Sequence, residues 1–313
     1  MPKYKKRKIV RKDLLTCLTC QNVWDRLKDL FMMPFDKGIA YNGKLSKKII
    51  FDNSSEKNKI LCIFAHYDKH KIIDDYVLTY LIGLKTLNVD LMFVSTSDLP
   101  DQEINKLKNI CRIAFVKENV GYDFGAWKTV LEFLEFDGYE SLILCNDSVY
   151  APLYDFQKIF DRMKLRGLDF WGITDNFEVS YHIQSYFMVF NRKIVESDIF
   201  NKLWETYKVY KIKRNIIRHY EIGLTQLLLR NGFEIGAYCE YEKFNEIIVK
   251  NSTHYFWEDL ITEFDSPIIK VELLRDNPGR INIAHWEKVL CKTGYDTAII
   301  KKHLDRMHDS KRK

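Results

Sequence analysis

Proline and glycine are scarce, at 6 and 13 of 313 residues. That excludes collagen-like and low-complexity chains, which are rich in both. No apolar run approaches the roughly 18–20 residues that span a bilayer. The N-terminus is basic, but no apolar core or small-residue cleavage site follows it, so it does not read as a secretory signal. Cysteines are odd in number and scattered: Cys17, Cys20, Cys62, Cys111, Cys145, Cys239 and Cys291. Four lie in or beside apolar runs, where a free cysteine acts as a small hydrophobe. Cys17 and Cys20 have no second Cys/His pair at zinc-site spacing. The pattern fits a reducing cytoplasm. Neither GxGxxG nor a Gly-rich loop ending in Lys-Ser/Thr occurs, so kinase and P-loop readings fall.

Net charge is lacking in the body as well. The chain is formally +6, but residues 1–12 hold seven Lys/Arg and no acid, leaving −1 on the rest. The last 13 residues add six bases against two acids. Basic ends on a neutral body do not make a nucleic-acid-binding domain. What the chain does have is 46% hydrophobic residues and 14% aromatics over a length that allows one large or two ordinary domains.

From residue 60 the pattern alternates. Strands are expected at Ile60–Ala65, Leu91–Val94, Arg112–Val116 and Ser141–Cys145, with helices at Asp75–Leu87, Gln102–Ile110, Phe124–Phe136 and Tyr154–Met163. This predicts an α/β fold with a mostly parallel sheet flanked by helices. After Asp169 two strands, Asp169–Ile173 and Ile183–Asn191, follow without room for a helix, so the sheet should be mixed. Helices at about 194–209 and 221–231 and a strand at Phe233–Tyr238 complete it. Residues 13–33 have helical apolar spacing. Beside the basic leader they read either as a helix packed on the body or as a membrane-surface segment.

In an open α/β sheet, ligands bind beyond the carboxyl ends of the strands. Those ends carry His66-Tyr67-Asp68, Ser95-Thr96-Ser97, Asn119-Val120-Gly121-Tyr122-Asp123 and Asn146-Asp147-Ser148, and all four should converge on one edge. Gly121 permits a sharp turn. Asp123 reads either as an N-cap or as a ligand. Asp147 could hold Mg²⁺ or Mn²⁺ against a diphosphate; the plainer reading of its neighbours is an Asn-Asp-Ser turn. His182, Gln184, Ser185 and Tyr186 combine donors, acceptors and a ring in a way that suits a sugar, or they are satisfied core polar groups.

The succession ENVGYDFGAWK, LILCNDSVYAPL, DFWGITDN, HIQSYFMVFN and YEIGLTQLLLRNGF resembles the rhamnan synthesis protein F family of glycosyltransferases. The similarity continues through NSTHYFWEDLI, SPIIKVELLRDNP and HWEKVL and covers roughly residues 58–305. It implies a GT-A-like fold with helical N- and C-terminal extensions. It divides the chain into a basic leader with an amphipathic helix (1–58), a nucleotide-sugar-binding domain (59–250) and a C-terminal segment with a basic tail (251–313). It also implies an Asp-x-Asp motif at Asn146–Ser148, where only Asp147 is acidic. His285 or His254 could add a second metal ligand, and Lys128, Arg192 and Arg230 could instead neutralise the diphosphate. Glu221, expected to open the helix 221–231, looks like the general base of an inverting transfer, with Asp175 and Asp123 in reserve. The implied donor contacts are His66, Ser95, Asn119, Gly121, Asp123, Asn146, Asp147, His182 and Gln184. The implied partners are a nucleotide diphosphate sugar, such as dTDP-rhamnose or a UDP-sugar, and a polysaccharide or lipid-linked glycan. The enzyme would work in the cytoplasm at the inner face of the cell membrane, with no nucleic-acid partner. The competing reading is a non-catalytic carbohydrate- or nucleotide-sugar-binding module of the same fold.

Overall fold

The computed structural model describes residues 32–52, 56–244 and 251–309. The leader 1–12, nearly all of the expected helix 13–33, Cys17, Cys20 and residues 310–313 lie outside the described residues. Nine strands form one sheet: β1 (Leu45–Ile50), β2 (Ile60–His66), β3 (Val89–Ser95), β4 (Ile113–Lys117), β5 (Ser141–Asn146), β6 (Phe170–Asn176), β7 (His182–Ile183), β8 (Phe187–Asn191) and β9 (Ile235–Cys239). Their order is β9-β6-β8-β5-β2-β3-β4-β1, with β7 paired on β6. β2 runs parallel to β3 and β5, β3 parallel to β4, and β9 parallel to β6. β8 is antiparallel to both β5 and β6, and β1 is antiparallel to β4. The mixed sheet expected from the sequence is therefore present.

Alternation along β2 divides the core. Cys62 and Phe64 face one helical layer, and Leu61, Ile63 and Ala65 face the other. The first layer holds α1 (Asp75–Lys85), α2 (Asp101–Asn105), α4 (Phe156–Lys164), α7 (Val271–Arg275) and α8 (Thr297–Asp309). The second holds α3 (Tyr122–Leu131), α5 (Asp198–Glu205) and α6 (Gly223–Arg230). Burial on both faces explains why these strands are continuous apolar runs. Cys62, Cys111, Cys145 and Cys239 are buried free thiols, as their apolar surroundings predict. Among the described residues, no helix is long and apolar enough to cross a membrane.

Several boundaries depart from expectation. The N-terminal segment supplies an edge strand, β1, where only helix was foreseen. The strand expected over 183–191 is broken at Gln184–Tyr186. β7 pairs with Asp175 and Asn176, while β8 pairs with Phe170–Gly172, and the chain between them turns back on Thr174. The helix expected over 102–110 stops at Asn105 and tightens into successive i→i+3 turns. The helix expected over 194–209 is two pieces, Arg192–Val195 and α5, split where Ser197 caps the second. Glu221 does not open a helix. It lies in a π-helical turn, Ile217–Ile222, between a short helix at Lys213–Ile216 and α6.

Candidate active site

The strand order reverses between β3 and β5 on either side of β2, and that is where a crevice opens in such sheets. β5 delivers Asn146, Asp147 and Ser148 to this point. Asn146 Nδ2 donates to Asp123 Oδ2 at 2.8 Å, while its Oδ1 accepts from the Ser148 N–H at 3.1 Å and the Ser148 hydroxyl at 2.6 Å. One amide thus closes an Asn-Asp-Ser turn and ties it to the start of α3. The plain turn reading therefore holds, and the turn brings Asp147 beside the start of α3.

Asp123 is placed by Gly121, which takes φ +84° at the head of α3. A Cβ there would meet Tyr207 Oη at 2.8 Å and Gly125 Cα at 3.0 Å, so only glycine fits. Asp123 spends its carboxylate on Asn146 and makes no cap bond to the helix. Burial raises its pKa, Glu221 adds to the rise, and Asn146, Lys213 and Lys270 oppose it. Asp147 Oδ2 accepts from the Tyr67 N–H at 2.8 Å, and its carbonyl accepts from the Tyr76 hydroxyl at 3.2 Å. Burial, followed by the charge of Asp123, pushes the Asp147 carboxyl well above the usual range. These are two carboxylates in one electrostatic neighbourhood. Two exposed tyrosines stand beside them: Tyr122 precedes Asp123 in the chain, and Tyr67 supplies the N–H that Asp147 accepts.

The turn that breaks the expected strand aims Ser185 outward. Its hydroxyl donates to Glu221 Oε2 at 2.7 Å, and His182 Nε2 lies 3.6 Å from Glu221 Oε1. Among the described residues Glu221 has no Lys or Arg partner within salt-bridge distance, so its negative charge stays uncompensated by any fixed cation in contact.

The remaining wall comes from far along the chain. The two-residue strand Ile269–Lys270 pairs antiparallel with Val149–Tyr150, immediately after Ser148. That register sets Lys270 Nζ 3.3 Å from Ser148 Oγ and 4.2 Å from the centroid of the Tyr186 ring. Burial pulls its ammonium down to about 8, against the raising influence of Glu221, Glu272 and Asp123. Lys213, exposed in the short helix before the π turn, acts electrostatically on both Asp123 and Lys270. The sequence reading missed Lys270 and Lys213. The one available signal was a lone lysine after the apolar run Ile268-Ile269.

Other expected residues serve the frame. His66 Nδ1 and Ser95 Oγ are 3.0 Å apart, and both residues are buried. Burial pulls His66 down to about 4, which leaves a neutral ring beneath the site. Asn119 is exposed in the turn before Gly121. Gln184 points inward, accepting from Thr174 Oγ1 at 2.6 Å. Asp175 accepts from the Tyr241 N–H at 2.6 Å. His285 pairs with Glu258 at 2.7 Å and His254 lies 3.7 Å from Glu272; neither joins Asp147. Lys128 is bound to Glu132. Arg192 is bound to Glu196 and follows Asn191, which pairs with Ser141 at the opposite end of β5. Arg230 stands in the last turn of α6, at the far end from Glu221. None of the three basic residues expected at the diphosphate stands with Asp147. Among the described residues no three His, Cys, Asp or Glu side chains gather as a metal-binding group. A cation here would have at most the Asp123 and Asp147 carboxylates, and phosphate or water would have to complete its shell.

A surface hollow of about 560 Å³, lined by Arg162, Arg166, Tyr238, Glu240 and Asp265, shares none of these residues. Its charges already pair with one another.

The sequence model of rhamnan synthesis protein F matches residues 91–313. An uncharacterised protein, y4gN, of Sinorhizobium fredii is 30% identical over 183 residues, covering 56% of this chain and 48% of its own. This chain thus spans about half the length of that relative. A virulence protein, VirA, of Vibrio anguillarum is 27% identical over 261 residues, covering 72% of this chain and 83% of its own. Among solved structures, 4-diphosphocytidyl-2C-methyl-D-erythritol synthase from Anaerococcus prevotii has a TM-score of 0.37 at 12% identity, covering 58% of this chain and 86% of its own. Core-mannan synthase A from Aspergillus fumigatus, in a Mn/GDP form, has a TM-score of 0.35 at 8% identity, covering 61% and 74%. Both structural likenesses are distant.

Proposed function

Because the chain belongs to the rhamnan synthesis protein F family, we propose that it is a glycosyltransferase. It moves a sugar from a nucleotide diphosphate donor to a growing cell-surface polysaccharide or lipid-linked glycan. What supports this reading is three acids near one end of the sheet: Asp123 tied to the Asn146 turn, Asp147 held by the Tyr67 N–H and Glu221 held by Ser185, with Asp123 in electrostatic reach of the other two. A general base must reach the acceptor hydroxyl and be free to take its proton. Glu221 meets the second condition, since its contacts are a serine hydroxyl and His182. Direct attack assisted by such a base inverts the anomeric centre. The family name favours an activated deoxyhexose such as dTDP-rhamnose, with UDP-sugars as the next choice.

A divalent cation, Mg²⁺ or Mn²⁺, would take Asp147 and Asp123 as its protein ligands, and when bound it neutralises the departing diphosphate. His285 has no part in this, being engaged by Glu258. The second reading, a binding module without turnover, is favoured by one observation. Asn146 and Ser148 flank the lone acid, and both are consumed by their own turn.

The test is incubation with dTDP-rhamnose, UDP-sugars and GDP-sugars, in EDTA and in Mn²⁺. Slow donor hydrolysis is expected, reduced strongly by Asp147→Asn. Binding of donors with no hydrolysis of any, and no transfer to cell-envelope glycan extracts, would sink the enzyme reading in favour of the module.

A further inference from the structure

Lys270 is a partly buried ammonium, and among the described residues it has no ion-pair partner; its contacts are the Ser148 hydroxyl and the Tyr186 ring. An ammonium has three N–H donors, and here one is engaged. Taking a cation from water without an anion in contact is costly; Glu221, Glu272 and Asp123 act on this ammonium from beyond contact distance, and an anionic ligand would supply the missing contact. The Tyr186 face contributes some attraction and positions the ammonium, but it leaves the remaining donors unmet. Ser148 closes the turn that carries Asp147, and Lys270, a residue 122 positions away, leans on its hydroxyl.

We infer that Lys270 is the fixed cation that holds the diphosphate of the donor and of the nucleoside diphosphate it leaves. The inference rests on the nucleotide-sugar reading above and adds the group that grips the phosphates. The exposed Lys213 acts electrostatically on Asp123 and on Lys270 and adds positive charge to the same neighbourhood.

Calorimetric titration in EDTA separates the two claims, with inorganic pyrophosphate as one probe and UDP, GDP and dTDP as others. Wild type should bind pyrophosphate. Lys270→Met should weaken it about tenfold or more, the usual loss of a charge-assisted hydrogen bond. Lys270→Arg, which keeps the charge, should stay within about threefold of wild type. A Lys270→Met protein that binds pyrophosphate as wild type does, or a wild type that does not bind it, overturns the inference. Pyrophosphate binding without added affinity for any nucleoside diphosphate sinks the nucleotide reading and leaves Lys270 standing. A measurement on wild type guards against a misfolded variant: acetylation of Lys270, followed by mass spectrometry, should slow when pyrophosphate is added. An unchanged rate counts against the inference.

Discussion

Glu221 and Asp175 are both carboxylates near the end of the sheet, and their surroundings give them opposite uses. Glu221 is held by the Ser185 hydroxyl, with His182 beside it. Replacing it by Gln keeps its size and hydrogen bonding but removes proton acceptance. Turnover should fall by about 10²–10⁴-fold, with donor affinity nearly unchanged because the base faces the acceptor. More than half the wild-type rate at saturating substrates would rule Glu221 out. Asp175 is buried against the Tyr241 N–H, and burial raises it to about 7. A carboxyl whose pKa is higher folded than unfolded stabilises the fold in full below its unfolded value near 4. That stabilisation is lost as pH rises through about 7. Asp175→Asn should therefore gain stability relative to wild type as pH climbs from about 4 to 7 and level off above. Urea midpoints across that range test it, and a gap independent of pH would show that Asp175 does not titrate in that window.

At the level of elements, the helix α8 braces the loop that supports Asp147. Arg306 Nη2 meets Asp68 at 2.6 Å and also contacts Asp74, while its Nη1 contacts His70. His303 bonds the Tyr150 hydroxyl at 2.7 Å and packs on Tyr76, whose own hydroxyl reaches the Asp147 carbonyl. The loop between β2 and α1, which carries the Tyr67 N–H, is thereby tied to the C-terminal helix. Removing one partner from such a cluster leaves charges uncompensated. Arg306→Ala should cost about 3 kcal/mol of stability, and Arg306→Lys less, since a point charge survives without the planar fork. Chemical denaturation measures both. Equal loss in the two variants would place the value in guanidinium geometry, and no loss would show that the cluster contributes nothing. The π turn beneath Glu221 is a second element-level device: an extra residue in the helical turn is a common way to re-aim a functional side chain.

For the whole molecule, the proposed reaction would join a soluble donor to a lipid-borne acceptor, which makes attachment to a membrane surface testable. The neutral body and the seven bases of residues 1–12 suggest attachment to an anionic surface. Each basic residue near such a surface contributes about 1 kcal/mol, screened by salt. Binding to anionic liposomes should weaken with salt and vanish when residues 1–12 are removed, while activity on a soluble acceptor survives. Equal binding to neutral liposomes, or none lost on truncation, would leave the leader a solvated tail.

The alternation of apolar runs with helical spacing was enough to determine the central strands, the mixed character of the sheet and its polar edge, but not the edge strand β1, whose partner β4 lies far along the chain. Burial on both faces leaves few other ways to arrange such a pattern. Asp123, Asn146 and Asp147 were legible for the same reason, because each follows directly on a strand or turn whose direction the local sequence dictates. Ser185 and Glu221 were named, but their geometry was not foreseen, since the strand break follows from tertiary pairing with β6 and a π turn leaves no mark in local apolar spacing. His66, Ser95 and Gln184 looked like ligands because polarity at a strand end does not reveal which way a side chain turns; packing aimed them inward. Lys270 was invisible as part of the site. Its place depends on two residues pairing with Val149–Tyr150 across more than a hundred positions, and no local propensity encodes a contact between strands so far apart.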